Sequence, residues 1–149
     1  MRIAIGVDWI GYELKQGLIE FMEQELGHDV LDFGANSDEP CDYPDFAEVV
    51  SRAVASGKAD RGIVVCGTGI GMSIAANKIS GARAALCHDA FTTALSRRHN
   101  DANILAMGVW VVSLPHAREL VELWLKTPYD GGRHEPRLKK IARLDQKHV

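Results

Sequence analysis

No stretch of this chain approaches the roughly 20 consecutive apolar residues that a membrane-spanning helix needs. The apolar run at the N-terminus passes through Ile3-Ala4-Ile5 and reaches Asp8, too soon for the apolar segment of a secretory signal. Cysteine is sparse. Cys41, Cys66 and Cys87 make an odd three with no C-x-x-C pair, which argues against a disulfide framework or a zinc site. No His/Cys/Asp/Glu cluster has metal-ligand spacing, so no metal is expected. Reduced thiols in a cytoplasmic protein are the natural expectation. A basic excess is missing too. The formal net charge is −3, which argues against a nucleic-acid partner or an anionic membrane surface. There is no internal repeat and no low-complexity segment.

What is present reads as a single α/β domain over residues 1–149. The 149 residues are 46% hydrophobic and 25% charged, an ordinary globular balance, and enough chain to bury a core without a covalent staple. Short continuous apolar runs alternate with amphipathic segments. Arg2–Val7, Asp29–Phe33, Arg61–Cys66, Ala82–Cys87 and Ile104–Val112 read as five strands. Helices are expected over Tyr12–Leu26, Asp45–Ser56, from Gly71 to about Asn77, Ala90–Arg98 and Pro115–Lys126, with a last basic helix after Pro136. Strands that are apolar throughout suit a parallel sheet covered on both faces. The expected fold is a three-layer α/β/α sandwich on a five-stranded Rossmann-like sheet. Ligands in such folds bind beyond the carboxyl ends of the strands, where Asp8, Cys66 and Cys87-His88-Asp89 fall.

The strongest local feature is Ile63-Val64-Val65-Cys66-Gly67-Thr68-Gly69-Ile70-Gly71. A strand delivers a cysteine to its end, and three glycines then open a helix. Glycines let backbone N–H groups approach an anion, and the helix N-terminus adds partial positive charge. A cysteine so placed has its thiolate favoured, as a base or nucleophile. The same residues also read as a buried structural cysteine before a turn. The glycine spacing is not that of the dinucleotide fingerprint, and Gly6 to Gly11 lacks the Lys-Ser/Thr of a P-loop. Asp8 reads as a ligand-orienting acid or as a helix cap. His99-Asn100 sits at a helix end, where it reads by itself as a C-terminal cap. Arg133 and Arg137 read as an anion clamp or as a solvated face. Tyr43 reads as a pocket wall, a hydroxyl donor or a packing residue. His88-Asp89 reads as a structural pair, and His28, His116 and His148 as surface residues.

Together, Asp42-Tyr43-Pro44, Cys66 to Gly71 with Ser73 to Lys78, Ser96 to Asn103, Tyr129 to His134 and Arg137 resemble type B ribose-5-phosphate isomerases and the related galactose-6-phosphate isomerases. The resemblance spans nearly the whole chain. It implies aldose–ketose isomerisation of a sugar phosphate through an enediol, with Cys66 as base and Thr68 orienting the thiolate. It implies that the backbone of Gly67, Gly69, Ile70 and Gly71 holds the enediolate oxygens and that His99 opens the sugar ring. Asp8 and Asn100 would bind hydroxyls, Tyr43 would line the pocket, and Arg133 and Arg137 would hold the phosphate. No metal or organic cofactor is implied. A homodimer or dimer of dimers is implied, with the His99-Asn100 turn crossing to the other subunit and the 127–149 tail packing there.

Two positions depart from the pattern. Trp9 stands where the family has histidine after Asp8, and Trp110 stands where it often has arginine. Both are phosphate-end positions, so a tetrose or hexose phosphate competes with ribose 5-phosphate as the expected substrate. A non-catalytic sugar-phosphate-binding relative is the non-enzyme alternative, opposed by the presence of Cys66, Thr68 and His99.

Overall fold

A strand that is apolar on both faces must be covered on both, and β1 (Arg2–Val7) is: Ile3, Ala4, Ile5 and Val7 are all buried. The computed structural model describes residues 1–145 of the chain. It sets β1 between β2 (Asp29–Asp32) and β3 (Arg61–Cys66), with β5 (Ile104–Gly108) and β4 (Ala84–Leu86) beyond. The order is β2-β1-β3-β5-β4, and every pairing is parallel. Val7 lies opposite Val65, and Cys66 opposite Gly108. This is the expected five-stranded α/β fold.

Helices α1 (Tyr12–Glu20), α4 (Ala90–Asn100) and α5 (Leu114–Lys126) cover one face, where Leu14, Leu18, Leu120 and Trp124 join Ile3, Ile5 and Met107. Trp124 is wholly buried, and its indole N–H donates to Ser96 Oγ of α4 at 3.2 Å. Helices α2 (Tyr43–Ala55) and α3 (Ile70–Ala76) cover the other face, with Val50, Ala53 and Met72 against Ala4, Val64 and Ala106. Helix α6 (Glu135–Asp145) buries none of its residues. It is tied back by the Gly81 N–H, which donates to Asp145 Oδ2 at 3.0 Å.

The chain winds to one side of β1 through α1 and to the other through α2. The carboxyl ends of β1 and β3 therefore flank the point where the strand order reverses, the usual ligand crevice of such sheets. Lys15 braces this region from within. Fully buried, it donates to both Asp32 oxygens at 2.8 Å and to the Ala35 carbonyl at 2.6 Å, so α1 holds the loop that leads toward Tyr43.

Several boundaries differ from expectation. The first helix does not run evenly to Leu26. Its last turn, Phe21–Glu25, widens so that the Leu26 N–H donates to Phe21 O. The fifth strand stops at Gly108 rather than Val112, because the chain folds over the end of β3. There Val109 N–H donates to Cys66 O and Trp110 N–H to Gly67 O, both at 3.0 Å. Strand β4 is shorter than Ala82–Cys87. On its outer edge the Asn77 side chain both donates to Ala84 O and accepts from Ala84 N–H, at 2.9 Å each, in place of a neighbouring strand. His148 lies outside the described residues.

Candidate active site

Cys66 ends β3 at the floor of a hollow of about 430 Å³, bordered by Asp8, Tyr43, Thr68, Gly71 and Trp110 among others. The turn after it is built so that Gly69 N–H donates to Cys66 Sγ at 3.2 Å. Gly69 holds φ 77°, a left-handed conformation open to glycine at little cost, and helix α3 begins at the next residue. The first N–H groups of α3 thus point from the same turn that carries the sulfur. Thr68 Oγ1 accepts from Ile70 N–H at 3.3 Å. Among the described residues no hydrogen bond joins Thr68 to Cys66.

The glycines here also make room for aromatic walls. A β-carbon at Gly67 would come within 2.7 Å of the Trp110 ring, and one at Gly71 within 2.6 Å of the Tyr43 ring. Gly108 presses just as closely on Thr68, where a β-carbon would lie 2.5 Å from the carbonyl carbon. The turn bearing Trp110 and the turn bearing Cys66 are in direct backbone contact.

Asp8 caps a turn and also borders the hollow. Its Oδ1 accepts from Ile10 N–H at 3.1 Å and Gly11 N–H at 3.2 Å, capping the short Trp9–Gly11 turn, and it borders the hollow. Burial pushes its carboxyl pKa above the ordinary value, against the pull of those two N–H groups. Trp9 is more than a third exposed and does not border the hollow, unlike Trp110. Ile10 and Ile74 border it as well, which the sequence did not single out. For Ile74 the sequence signal is its spacing four residues after Ile70 on α3; the two stand 52% and 58% exposed.

His88 is a structural residue, though not through Asp89. Its Nε2 accepts from Gly108 N–H at 2.9 Å, so the proton sits on Nδ1. Burial holds its pKa below the ordinary value, opposed by the Asp89 charge. Asp89 instead caps α4 through Thr92 N–H at 2.8 Å.

The remaining candidates are not gathered around Cys66. Helix α4 starts beside the carboxyl end of β4 and carries His99 and Asn100 back to the opposite end of the sheet, about 16 Å along its axis. There Asn103 N–H donates to Arg83 O, just before β4 begins. Asn100 borders a separate hollow of about 410 Å³ with Ile141 and Leu144. Arg133 and Arg137 are exposed near the start of α6, where Arg137 Nη1 donates to Arg133 O at 3.1 Å. His99 stacks on buried His134, ring centroids 4.3 Å apart, and Asp130 stands beside them. The fold brings these three together from a helix end and a distant loop, a proximity that local spacing does not show.

The chain that carries this hollow matches a known family over most of its length. The profile of the Ribose/Galactose Isomerase family matches residues 3–141. The chain belongs to the ribose/galactose isomerase family. Ribose-5-phosphate isomerase B of Escherichia coli K12 is 45% identical over 146 residues, 98% of this chain and 97% of that protein. A D-erythrulose-4-phosphate isomerase of Pectobacterium atrosepticum is 38% identical, covering 95% of this chain and 93% of its own. Among solved structures, that of Clostridium thermocellum ribose-5-phosphate isomerase B superposes with a TM-score of 0.97, is 50% identical, and covers 100% of both chains. The chain is a sugar-phosphate isomerase of the aldose–ketose class, similar to ribose-5-phosphate isomerase B. No helix among the described residues is long and apolar enough to cross a membrane.

Proposed function

We propose that this enzyme interconverts ribose 5-phosphate and ribulose 5-phosphate in the cytoplasm, with Cys66 as base. The observation that carries the reading is Cys66 Sγ at the floor of the hollow, with Asp8 and the α3 N-terminus around it. On the open-chain aldose, the Cys66 thiolate takes the C2 proton. The C2–H electron pair becomes the C1–C2 double bond, and the carbonyl pair moves onto O1. The backbone N–H groups of residues 67–71 stabilise that charge, and Thr68 borders the same turn. Transfer of the O2 proton to O1 and return of the proton from Cys66 to C1, as the O2 electron pair closes the C2 carbonyl, complete the ketose. No cofactor enters the scheme.

The shared site follows from the distance between ends of the sheet. His99 and Asn100 act across an interface, in a hollow floored by the Cys66 of a second copy. His99 opens the sugar ring, Asn100 and Asp8 bind hydroxyls, and Arg133 and Arg137 hold the phosphate. Exposed Ile70, Ile74, Phe91 and Trp110 around the carboxyl ends of the strands support a subunit contact there. The 127–145 segment then packs against that second copy.

A second reading rests on Trp110. Its ring narrows the hollow and brings no charge, which favours a shorter tetrose phosphate. An isomerase assay over four-, five- and six-carbon aldose phosphates, with Cys66→Ala alongside, decides both points. The variant should lose about 10²- to 10⁴-fold in turnover while folding normally. Near-normal turnover by Cys66→Ala removes the base assignment.

A further inference from the structure

The turn that follows His99 and Asn100 is clamped by groups the isomerase scheme does not use. Asp101 ends α4 at φ 44° and ψ 43°, and among the described residues it is the one non-glycine with a positive φ. Aspartate tolerates this left-handed region better than most residues with a β-carbon, because its short polar side chain can hydrogen-bond locally. Here two arginines bond it from opposite sides. We propose that Asp101 is a positioning residue: gripped by Arg83 and Arg97, it fixes the turn that presents His99 and Asn100 to the sugar. This rests on the roles given to those two residues above.

Arg97 lies one turn back on the same helix. It is buried, its guanidinium 5.7 Å from the Trp124 ring centroid, and its Nη1 donates to Asp101 Oδ1 at 2.8 Å and to Ala102 O. Arg83 comes from the other side, one residue before β4. Its Nη2 donates to Asp101 Oδ2 and its Nε to Asp101 O, both at 3.0 Å. The backbone closes the same turn, with Asp101 N–H donating to Arg97 O at 3.0 Å and Ala102 N–H to Ser96 O at 2.9 Å. The Asn103 side chain then accepts from Arg83 N–H at 2.7 Å and donates to Gly81 O at 2.8 Å.

None of these bonds involves the side chain of His99 or Asn100. His99 stacks on His134 and Asn100 borders the second hollow. What the clamp holds is the backbone beneath them, and with it the direction in which they leave α4 for the neighbouring copy. Placement matters there, since a shift of about 1 Å in a reacting group can cost about 10²-fold in rate. The buried Arg97 makes the hold tight: a guanidinium inside the fold needs its carboxylate, and Asp101 supplies it.

The test uses mixed dimers of Cys66→Ala and His99→Ala chains, whose working site takes its His99 from the Cys66→Ala chain. Asp101→Gly keeps a left-handed turn accessible and removes the clamp. In the Cys66→Ala chain it should lower the restored activity about tenfold or more. In the His99→Ala chain, whose own turn serves no working site, it should leave that activity as it was. Arg83→Gln should show the same asymmetry, and it carries the test if Asp101→Gly does not fold. Equal losses in the two arms, or none in either, overturn the proposal. A second readout does not depend on a shared site. The His99 ring-proton resonance, assigned by its loss in His99→Ala, is shifted by the stack on His134. It should move in Asp101→Gly and Arg83→Gln while those of His28 and His116 stay. If the parent pair regains no activity, the shared site falls and this resonance decides: movement supports the clamp, and an unmoved His99 overturns it.

Discussion

Cys66 and His99 stand at opposite ends of one sheet, His99 at the far end of α4, which runs away from the carboxyl ends of the strands. On the proposed roles, in which both act on one sugar, the two must come from different chains. Mixing inactive Cys66→Ala with inactive His99→Ala subunits should therefore restore activity, since a mixed dimer regains one complete site. Random pairing puts half of the subunit pairs in that state, so about a quarter of wild-type activity per subunit is expected at full exchange. A fully active monomer in sedimentation excludes the shared site.

Trp110 should set substrate preference. It borders the hollow while Trp9 does not, so Trp110→Arg alone should account for most of any change. An indole has one N–H donor and no charge, and an arginine contact to phosphate contributes about 1.5–3 kcal/mol. The variant should gain in kcat/KM for ribose 5-phosphate relative to a tetrose phosphate, and adding Trp9→His should bring little more. Unchanged relative specificity in both variants rules the assignment out.

Asp8→Asn should stabilise the fold at neutral pH and weaken the substrate. The native carboxyl pKa is raised by burial above its ordinary 3.8, so folding binds a proton more tightly there, and stability is lost as pH rises through that window. Asparagine still accepts from Ile10 and Gly11 without carrying the buried charge. The gain in melting temperature should appear near pH 7 and vanish below about pH 3.8, where wild type is protonated in both states. A higher KM with the higher melting temperature distinguishes a substrate contact from a cap alone.

His88 makes stability fall in mild acid. Burial depresses its native pKa below 6.5, so the unfolded chain binds the extra proton first as pH drops. The contribution of the neutral ring is intact above about 6.5 and is lost toward the lower native pKa. His28 and His134 have the same sign. Urea midpoints at pH 7.5 and 5.5 should differ less in His88→Gln than in wild type. An equal pH dependence in the two proteins shows that His88 is not a source of it.

The layers were legible because Ile3 to Val7 and Ile63 to Cys66 are apolar at every position, a pattern that only a sheet covered on both faces explains. The end of β5 was not, because Val109 to Val112 is as apolar as the strand itself. What stops it is hydrogen bonding to Cys66 O and Gly67 O, 43 residues away in sequence and invisible to local periodicity. The cysteine and its glycines are contiguous, so their geometry could be read directly. His99, Asp130 and His134 share no local motif, and only the loop pinned at Arg98 O brings them together.

Gly108 packs on the backbone of Thr68 with no space for a β-carbon, and Trp110 N–H is bonded to Gly67 O. Cys66 and the wall opposite it are thereby carried on a single block. Evolution cannot widen or narrow this hollow by lengthening either turn without displacing the sulfur. Descendants that take up a new sugar would do so by exchanging side chains such as that at position 110, leaving the backbone around Cys66 as it is.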